Sequence, residues 1–192
     1  MSTDRAVRDH TVAVAWGAAE ATVFFLVPDV WLSRVALTSP RRAFVACGTA
    51  VAGALAGGAA TYVWARRVDP EASRAALRRI PAISGEMVDR CLAEVEESGN
   101  RVLLTGPAKG VPYKLYARAA GVAGTSLPGF LAWSVPGRVP RFVAVTALTA
   151  LLQEQAERRL GAELTQRLAP ASHALAWIAF YSWYLNAVGQ EE

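Results

Sequence analysis

Residues 11–37 are almost wholly apolar, yet they enclose Glu20, Pro28 and Asp29. A carboxylate inside a segment long enough to enter a bilayer is costly, and such residues normally face a polar cavity or a charged partner. Proline cannot continue a helical hydrogen-bond ladder, and it disfavours helix at the residue before it. The sequence therefore predicts a helix from about Val12 to Leu26 that breaks at Pro28, and it marks the two acidic residues as candidates for function.

This broken stretch has two possible arrangements. Crossing the hydrocarbon takes about 20 residues, and neither half of the stretch reaches that length comfortably. We therefore favour a re-entrant hairpin, which enters and leaves the bilayer on one side. The alternative is one kinked transmembrane helix, since spanning helices tolerate proline when neighbouring groups satisfy the backbone.

The composition indicates that a bilayer is the solvent for much of the chain. Of 192 residues, 53% are hydrophobic, and they fall in long uncharged blocks. The net charge of +4 comes mainly from arginines at block ends, as expected of anchors at an anionic membrane surface. No contiguous basic face is visible, which argues against nucleic-acid binding. Acidic residues near the start argue against a cleavable signal peptide, and Cys47 and Cys91 lack metal-ligand spacing, so we expect free thiols.

The rest of the chain continues the alternation of apolar blocks and charged segments. We predict a transmembrane helix at residues 43–65, a charged amphipathic arm at 68–100, a second proline-broken re-entrant unit at 101–121, broken membrane helices at 126–152, an amphipathic helix at 153–168 and a transmembrane helix at 171–188. The predicted fold class is thus an all-α integral membrane protein, with transmembrane helices plus two proline-broken re-entrant helical hairpins in a single membrane domain.

The second broken unit carries charge opposite to that of the first. Pro112 interrupts it, and both lysines of the protein, Lys109 and Lys114, lie within it together with Arg118. Discontinuous helices that meet near the membrane centre build the substrate sites of many transporters. We therefore expect the two units to face each other across a shared site.

The partners of the two carboxylates cannot be assigned from the sequence. Glu20 and Asp29 are expected either to pair with Lys114, Arg138 or Arg141 or to act as proton carriers. The opposing interpretation is that these charges form structural ion pairs or interfacial anchors. That interpretation is stronger for the two arginines than for Glu20, whose short side chain cannot easily reach the headgroups.

Four motifs occur along the chain in a fixed order. They are EATVFFLVPD at residues 20–29, GGAATY at 57–62, PYK at 112–114 followed by AG at 120–121, and GRVPRF at 137–142. In this order they resemble the DedA family, also called the VTT or SNARE-associated Golgi protein family, and in particular its small YqaA-like bacterial branch.

The resemblance implies a polytopic protein of the bacterial inner membrane with two re-entrant loops. It also implies lipid transport or scrambling and a part in envelope homeostasis, in some members coupled to the proton gradient. Glu20 and Asp29 match the acidic positions of the first loop, and Lys114 matches the Pro-Tyr-Lys form of the second. Much of the family has two arginines flanking a proline in the second loop, and there this chain departs from the pattern.

The leading hypothesis is a lipid transporter or scramblase without a cofactor or metal. Phospholipid headgroups would enter a cavity between the two loops, and cationic side chains would attract the phosphate: Lys114, Arg118, Arg138 and Arg141. Membrane lipids are the expected partners, and homo-oligomerisation is left open. A non-transporting membrane scaffold is the alternative. A lipid-phosphate enzyme is disfavoured, because His10 and His173 belong to no nucleophile–base arrangement.

Overall fold

The computed structural model describes residues 2–189, and this range is 84% helical with no β-strand. Within it the α-helices are α1 (Ser2–Glu20), α2 (Asp29–Ala36), α3 (Pro40–Arg67), α4 (Pro70–Leu77), α5 (Gly85–Ser98), α6 (Tyr113–Val122), α7 (Leu127–Leu160) and α8 (Ala162–Gly189). Two short 3₁₀ helices, Gly99–Leu104 and Gly106–Lys109, lie between α5 and α6. The prediction of an all-α fold is confirmed.

Two of the described helices, α3 and α7, are long and apolar enough to cross a membrane. α3 contains the helix predicted at residues 43–65. Its first turn holds Pro40. Proline lacks a backbone N–H, and it is tolerated there because an N–H in the first turn has no partner within the helix. Its last turn holds Arg66 and Arg67, whose charge suits the negative end of the helix dipole.

Small residues let α3 approach its neighbours closely, as their spacing predicts. A Cβ atom at Gly53 would collide with the Val14 carbonyl of α1, and one at Gly57 would collide with the Ala18 carbonyl. The backbones of α1 and α3 are therefore in direct contact. This packing holds the end of α1, and hence Glu20, against the centre of the protein.

Replacing Gly57 with leucine is expected to lower the free energy of unfolding by about 1–3 kcal/mol or more, because the added side chain has no space between the two backbones. Gly48→Leu is a matched control on the same helix, since a Cβ atom there meets nothing within 4 Å. The thermal unfolding midpoint of the purified protein measures the effect of both substitutions. An equal loss in the two variants would contradict the packing explanation.

The first broken unit has the predicted break, but its first helix starts and ends earlier in the chain than expected. α1 ends at Glu20 rather than near Leu26, and residues 21–28, here called the first loop, are not helical. The loop sequence is rich in β-branched and aromatic residues, which lose side-chain freedom in a helix. The hydroxyl of Thr22 also donates to the Ala18 carbonyl at 2.9 Å and so competes locally with backbone bonding.

The second unit is broken in a different way. The two 3₁₀ helices lead into residues 110–112, here called the second loop, and α6 starts directly after Pro112. α6 is buried on almost every side, because it packs against α3 on one face and α5 on another. The second loop is thereby fixed to the interior of the protein.

The charged arm predicted at 68–100 forms two helices, α4 and α5, and Pro81 lies in the break between them. Asp69 caps α4 by accepting hydrogen bonds from two backbone N–H groups, and Ser84 caps α5 through one. Between the helices, Arg74 donates two hydrogen bonds to Asp89, at 2.7 and 2.6 Å. These bonds lower the pKa of the Asp89 carboxyl below its ordinary value.

This ion pair predicts a pH-dependent contribution to stability. Because the pKa of Asp89 is lower in the folded protein, the pair stabilises the fold above the unfolded-state pKa, about 3.9, and the contribution fades as the pH falls further. Asp89→Asn is expected to lower the thermal midpoint slightly at pH 7, since the pair is exposed, and to have a smaller effect near pH 3. If the difference in thermal midpoint between Asp89→Asn and wild type did not change with pH, the ion pair would not be the source of the pH dependence.

The prediction of broken helices at residues 126–152 is wrong. α7 is one continuous helix that passes through Pro136 and Pro140 and extends to Leu160. Each proline removes one helical hydrogen bond, a local loss that tertiary packing can outweigh. Here α7 packs against α3, α2 and the first 3₁₀ helix, and Gly137 sits against the backbone carbonyl of Leu103.

The boundaries predicted after α7 also differ from the structure. The amphipathic helix predicted at 153–168 is divided at Gly161, whose φ of 84° is a left-handed conformation that favours glycine. The transmembrane helix predicted at 171–188 lies within the longer α8, which is not one of the two described helices apolar enough to span. Its many tryptophan, tyrosine and polar residues explain the lower hydropathy.

Candidate functional site

The two loops line one cavity of about 340 Å³, which we call the loop cavity. Val27 of the first loop and Pro112 of the second both face it. The remaining lining residues are Glu20, Phe25, Asp29, Gly110, Val111, Tyr113, Arg138, Arg141, Val145, Trp177, Phe180, Tyr181 and Tyr184. The two broken units therefore meet, and the two carboxylates and two of the four predicted cations lie together.

Glu20 forms a buried ion pair with Arg138 of α7. A guanidinium nitrogen of Arg138 lies 2.5 Å from a carboxylate oxygen of Glu20, and the two side chains are 6% and 5% exposed. The guanidinium carbon also lies 4.3 Å from the centroid of the Tyr113 ring, a distance typical of a cation–π contact. α1 ends at Glu20, so the acid is held where the helix gives way to the first loop.

Asp29 forms a second ion pair, with Arg141, at 2.6 Å. Asp29 is the first residue of α2, where the positive end of the helix dipole favours a negative charge. Its carboxylate is fully buried, whereas the Arg141 side chain is 37% exposed. Arg138 and Arg141 stand three residues apart on a continuous helix, and this spacing places both on one face.

Both ion pairs leave a buried polar atom without a protein partner. One carboxylate oxygen of Asp29, Oδ1, accepts no hydrogen bond, and the Nε of Arg138 donates none. Buried polar groups are usually satisfied, so each such atom calls for an explanation. Both residues line the loop cavity, and water or a polar ligand in it can supply the missing partners.

Lys114 connects the two units without pairing with a carboxylate. It follows the second loop in α6, is almost completely buried, and donates from Nζ to the Phe24 carbonyl of the first loop at 2.9 Å. The cation of the second unit thus contacts the backbone of the first. The arginines of α7 make the ion pairs with Glu20 and Asp29.

Arg118 lies away from the loop cavity, which differs from its predicted place at the site. Its Nε donates to the Ser73 hydroxyl at 2.9 Å and its Nη2 to the Pro70 carbonyl at 2.8 Å, both in α4. Lys109 also points elsewhere and pairs with Glu94 of α5 at 3.0 Å. Burial raises the pKa of Glu94, but hydrogen bonds from Tyr116 and Lys109 outweigh it and lower the pKa overall.

The aromatic face of α8 is a part of the site that was not among the predicted site residues. The Tyr181 hydroxyl accepts a hydrogen bond from the Val27 N–H at 2.8 Å, and the Tyr184 hydroxyl donates to the Gly110 carbonyl at 3.2 Å. One helix therefore contacts both loops. The spacing of Trp177, Tyr181 and Tyr184, four and three residues apart, was a readable signal of one aromatic face.

No protein-family model matches the chain, and neither the curated proteins nor the solved structures give a match. The resemblance to the DedA family therefore stays a prediction from its four motifs. Among residues 2–189, no group of three or more histidine, cysteine, aspartate or glutamate side chains is placed to hold a metal ion. The site is described by its ion pairs, its aromatic face and its cavity.

Proposed function

We propose that this protein is an integral membrane transporter or scramblase that moves phospholipid headgroups through the loop cavity. The observation that carries the proposal is the meeting of both broken units in one cavity that also holds two carboxylate–arginine pairs. Irregular backbone at membrane depth is tolerated where protein buries it or where it lines a polar cavity. Transporters build their sites from such interrupted helices.

Exposed apolar side chains support insertion into a bilayer. α7 carries Leu148, Leu151 and Leu152, each more than half exposed, and α8 carries Leu175 and Ile178 with similar exposure. Soluble monomers rarely expose apolar surface of this extent. In the proposed arrangement α3 and α7 span the membrane, and the two broken units form re-entrant hairpins. The bacterial inner membrane is the location that the DedA resemblance implies.

The cavity offers both an attraction for phosphate and groups that could exchange a proton. Arg141 is partly exposed and is the cation best placed to leave its carboxylate for an incoming phosphate, to which guanidinium binds with two hydrogen bonds. Displacement of Arg141 would leave Asp29 as an unpaired, buried acid. The DedA resemblance implies proton coupling in some members, and an acid left unpaired in this cavity is the group on which such coupling would depend.

Lipid movement between leaflets tests the proposal directly. The protein is reconstituted in vesicles that contain a phospholipid with a fluorescent label, and a membrane-impermeant quencher reports the outer leaflet. Wild type is expected to move labelled lipid faster than protein-free vesicles do, and Arg141→Gln to slow the movement at least about tenfold. Arg158→Gln is the matched control, because Arg158 lies on the same helix in an exposed pair. Equal rates for the two variants would refute the assigned role of Arg141.

A membrane scaffold is the second candidate function. Its supporting observation is the burial of the Glu20–Arg138 pair, which joins α1 to α7 across 118 residues of sequence. Breaking a buried pair is strongly destabilising, so such a pair can hold two helices in register without any transport. In that case wild type would move no lipid in the vesicle assay.

A further inference from the structure

A second charged cavity lies beside the N-terminal part of α1, and it shares no lining residue with the loop cavity. Its volume is about 510 Å³. α1, α2 and the start of α3 form its walls, together with Thr38 of the connection between α2 and α3. The lining residues are Arg5, Arg8, Asp9, Trp31, Arg34, Val35, Thr38 and Arg42.

The charge of this cavity is strongly unbalanced. Four of its described lining residues are arginines and one is a carboxylate, which leaves three positive charges without compensation. The carboxylate, Asp9, is already engaged, because Arg42 binds it at 2.9 Å and Arg8 lies 3.7 Å away. Within the described residues, Arg5 and Arg34 make no hydrogen bond or ion pair, so both guanidinium groups remain available to a ligand.

The position of the cavity indicates which anion it would meet. It lies at the start of α3, one of the two described helices both long and apolar enough to span, and that start would reach the headgroup region of a bilayer. No acidic residue stands in the first turn of α3, so the positive end of its dipole adds to the arginine charge. Trp31 lines the same cavity and donates from its indole to the Asp9 carbonyl at 3.0 Å. Tryptophan is typical of membrane–water interfaces.

We propose that this arginine cavity is a binding site for a phosphate group, separate from the path through the loop cavity. Arg5 and Arg34 form its ligand-binding groups, and Arg42 is held in place by Asp9. Guanidinium matches phosphate in geometry and charge, which favours this anion over a halide. The phosphate is carried by an anionic lipid of the adjacent leaflet or is free in solution, and the two sources share the same chemistry.

Native mass spectrometry of the full chain in a neutral detergent tests the site. The protein is titrated with phosphatidylglycerol, with zwitterionic phosphatidylcholine and with inorganic phosphate. We expect saturable binding of phosphatidylglycerol that is about tenfold weaker in an Arg5→Gln, Arg34→Gln double variant, because two charge-assisted contacts are lost. Both arginines are exposed and unpaired, so the variant is expected to fold, and its unfolding midpoint checks this.

The control is an Arg79→Gln, Arg101→Gln double variant, which removes the same charge at exposed positions elsewhere. It is expected to bind phosphatidylglycerol within about twofold of wild type. If phosphatidylglycerol stays bound when inorganic phosphate is added, the site is assigned to lipid. If inorganic phosphate binds and the Arg5 and Arg34 substitutions abolish that binding, the site is assigned to the free ion. Wild-type binding of both ligands by the first variant, or equal loss in the two variants, would overturn the proposal.

Discussion

Glu20→Gln is expected to abolish lipid movement and to lower stability by about 3–5 kcal/mol, which would be the largest effect of any single substitution considered. Glutamine keeps the size of the side chain but removes its charge, so Arg138 is left as an uncompensated cation that is only 6% exposed. The vesicle assay measures transport, and the thermal midpoint measures stability. Glu154→Gln is the control, since it breaks an exposed pair on α7 and is expected to cost less than about 1 kcal/mol.

A double variant separates the transporter from the scaffold. Replacing Glu20 with leucine and Arg138 with methionine removes both charges, and such replacement of a buried pair is often neutral or stabilising. We expect this variant to regain most of the stability lost in Glu20→Gln and to remain inactive in lipid movement. Transport at the wild-type rate in the double variant would contradict a role of the pair in transport. A stable double variant beside an inactive wild type would favour the scaffold.

Lys114→Met is expected to free the first loop from the second unit, because it removes the donor that joins them. The Phe24 carbonyl then loses its hydrogen bond in a part-buried position, which costs about 1–3 kcal/mol. The first loop is expected to open, with faster hydrogen exchange across residues 21–28 and slower lipid movement. Hydrogen exchange followed by mass spectrometry checks the loop directly.

The other lysine of the protein is the natural control for this prediction. Lys109 is 55% exposed and pairs with Glu94, so Lys109→Met is expected to leave exchange in the first loop unchanged. Lys114→Arg keeps a donor at the site and is expected to restore part of the protection. Faster exchange in both methionine variants, or in neither, would show that Lys114 does not hold the loops together.

Local chemistry in the sequence was sufficient to locate the two broken units but not the partners of their charged residues. The break before Pro28 and the uninterrupted apolar run of α3 are properties of neighbouring residues, and the structure contains both. The partner of Glu20 lies 118 residues away, and several cations were equally plausible from composition alone. Only the packing of α1 and α7 against α3 selects Arg138.

The error at α7 concealed the relation between two predicted site residues, Arg138 and Arg141. The prolines at 136 and 140 predicted broken segments, and broken segments carry no common face. On the continuous helix, Arg138 and Arg141 are three residues apart and point to the same side. The sequence prediction left Lys114, Arg138 and Arg141 open as partners of the two carboxylates, because broken segments gave no reason to prefer the two arginines. The placement of Arg118 against α4 depends on tertiary contacts that no local pattern encodes.

Two tyrosine hydroxyls of α8 make the first loop and the second loop depend on one helix. Tyr181 contacts one and Tyr184 the other, while α8 joins α7 at Gly161, a single residue with a left-handed backbone. A rotation of α8 about that residue would release both loops in the same movement. The two loops would then lose these hydrogen bonds together rather than in turn, so in a cycle of alternating access the loops themselves, and not α8, would have to distinguish the two states.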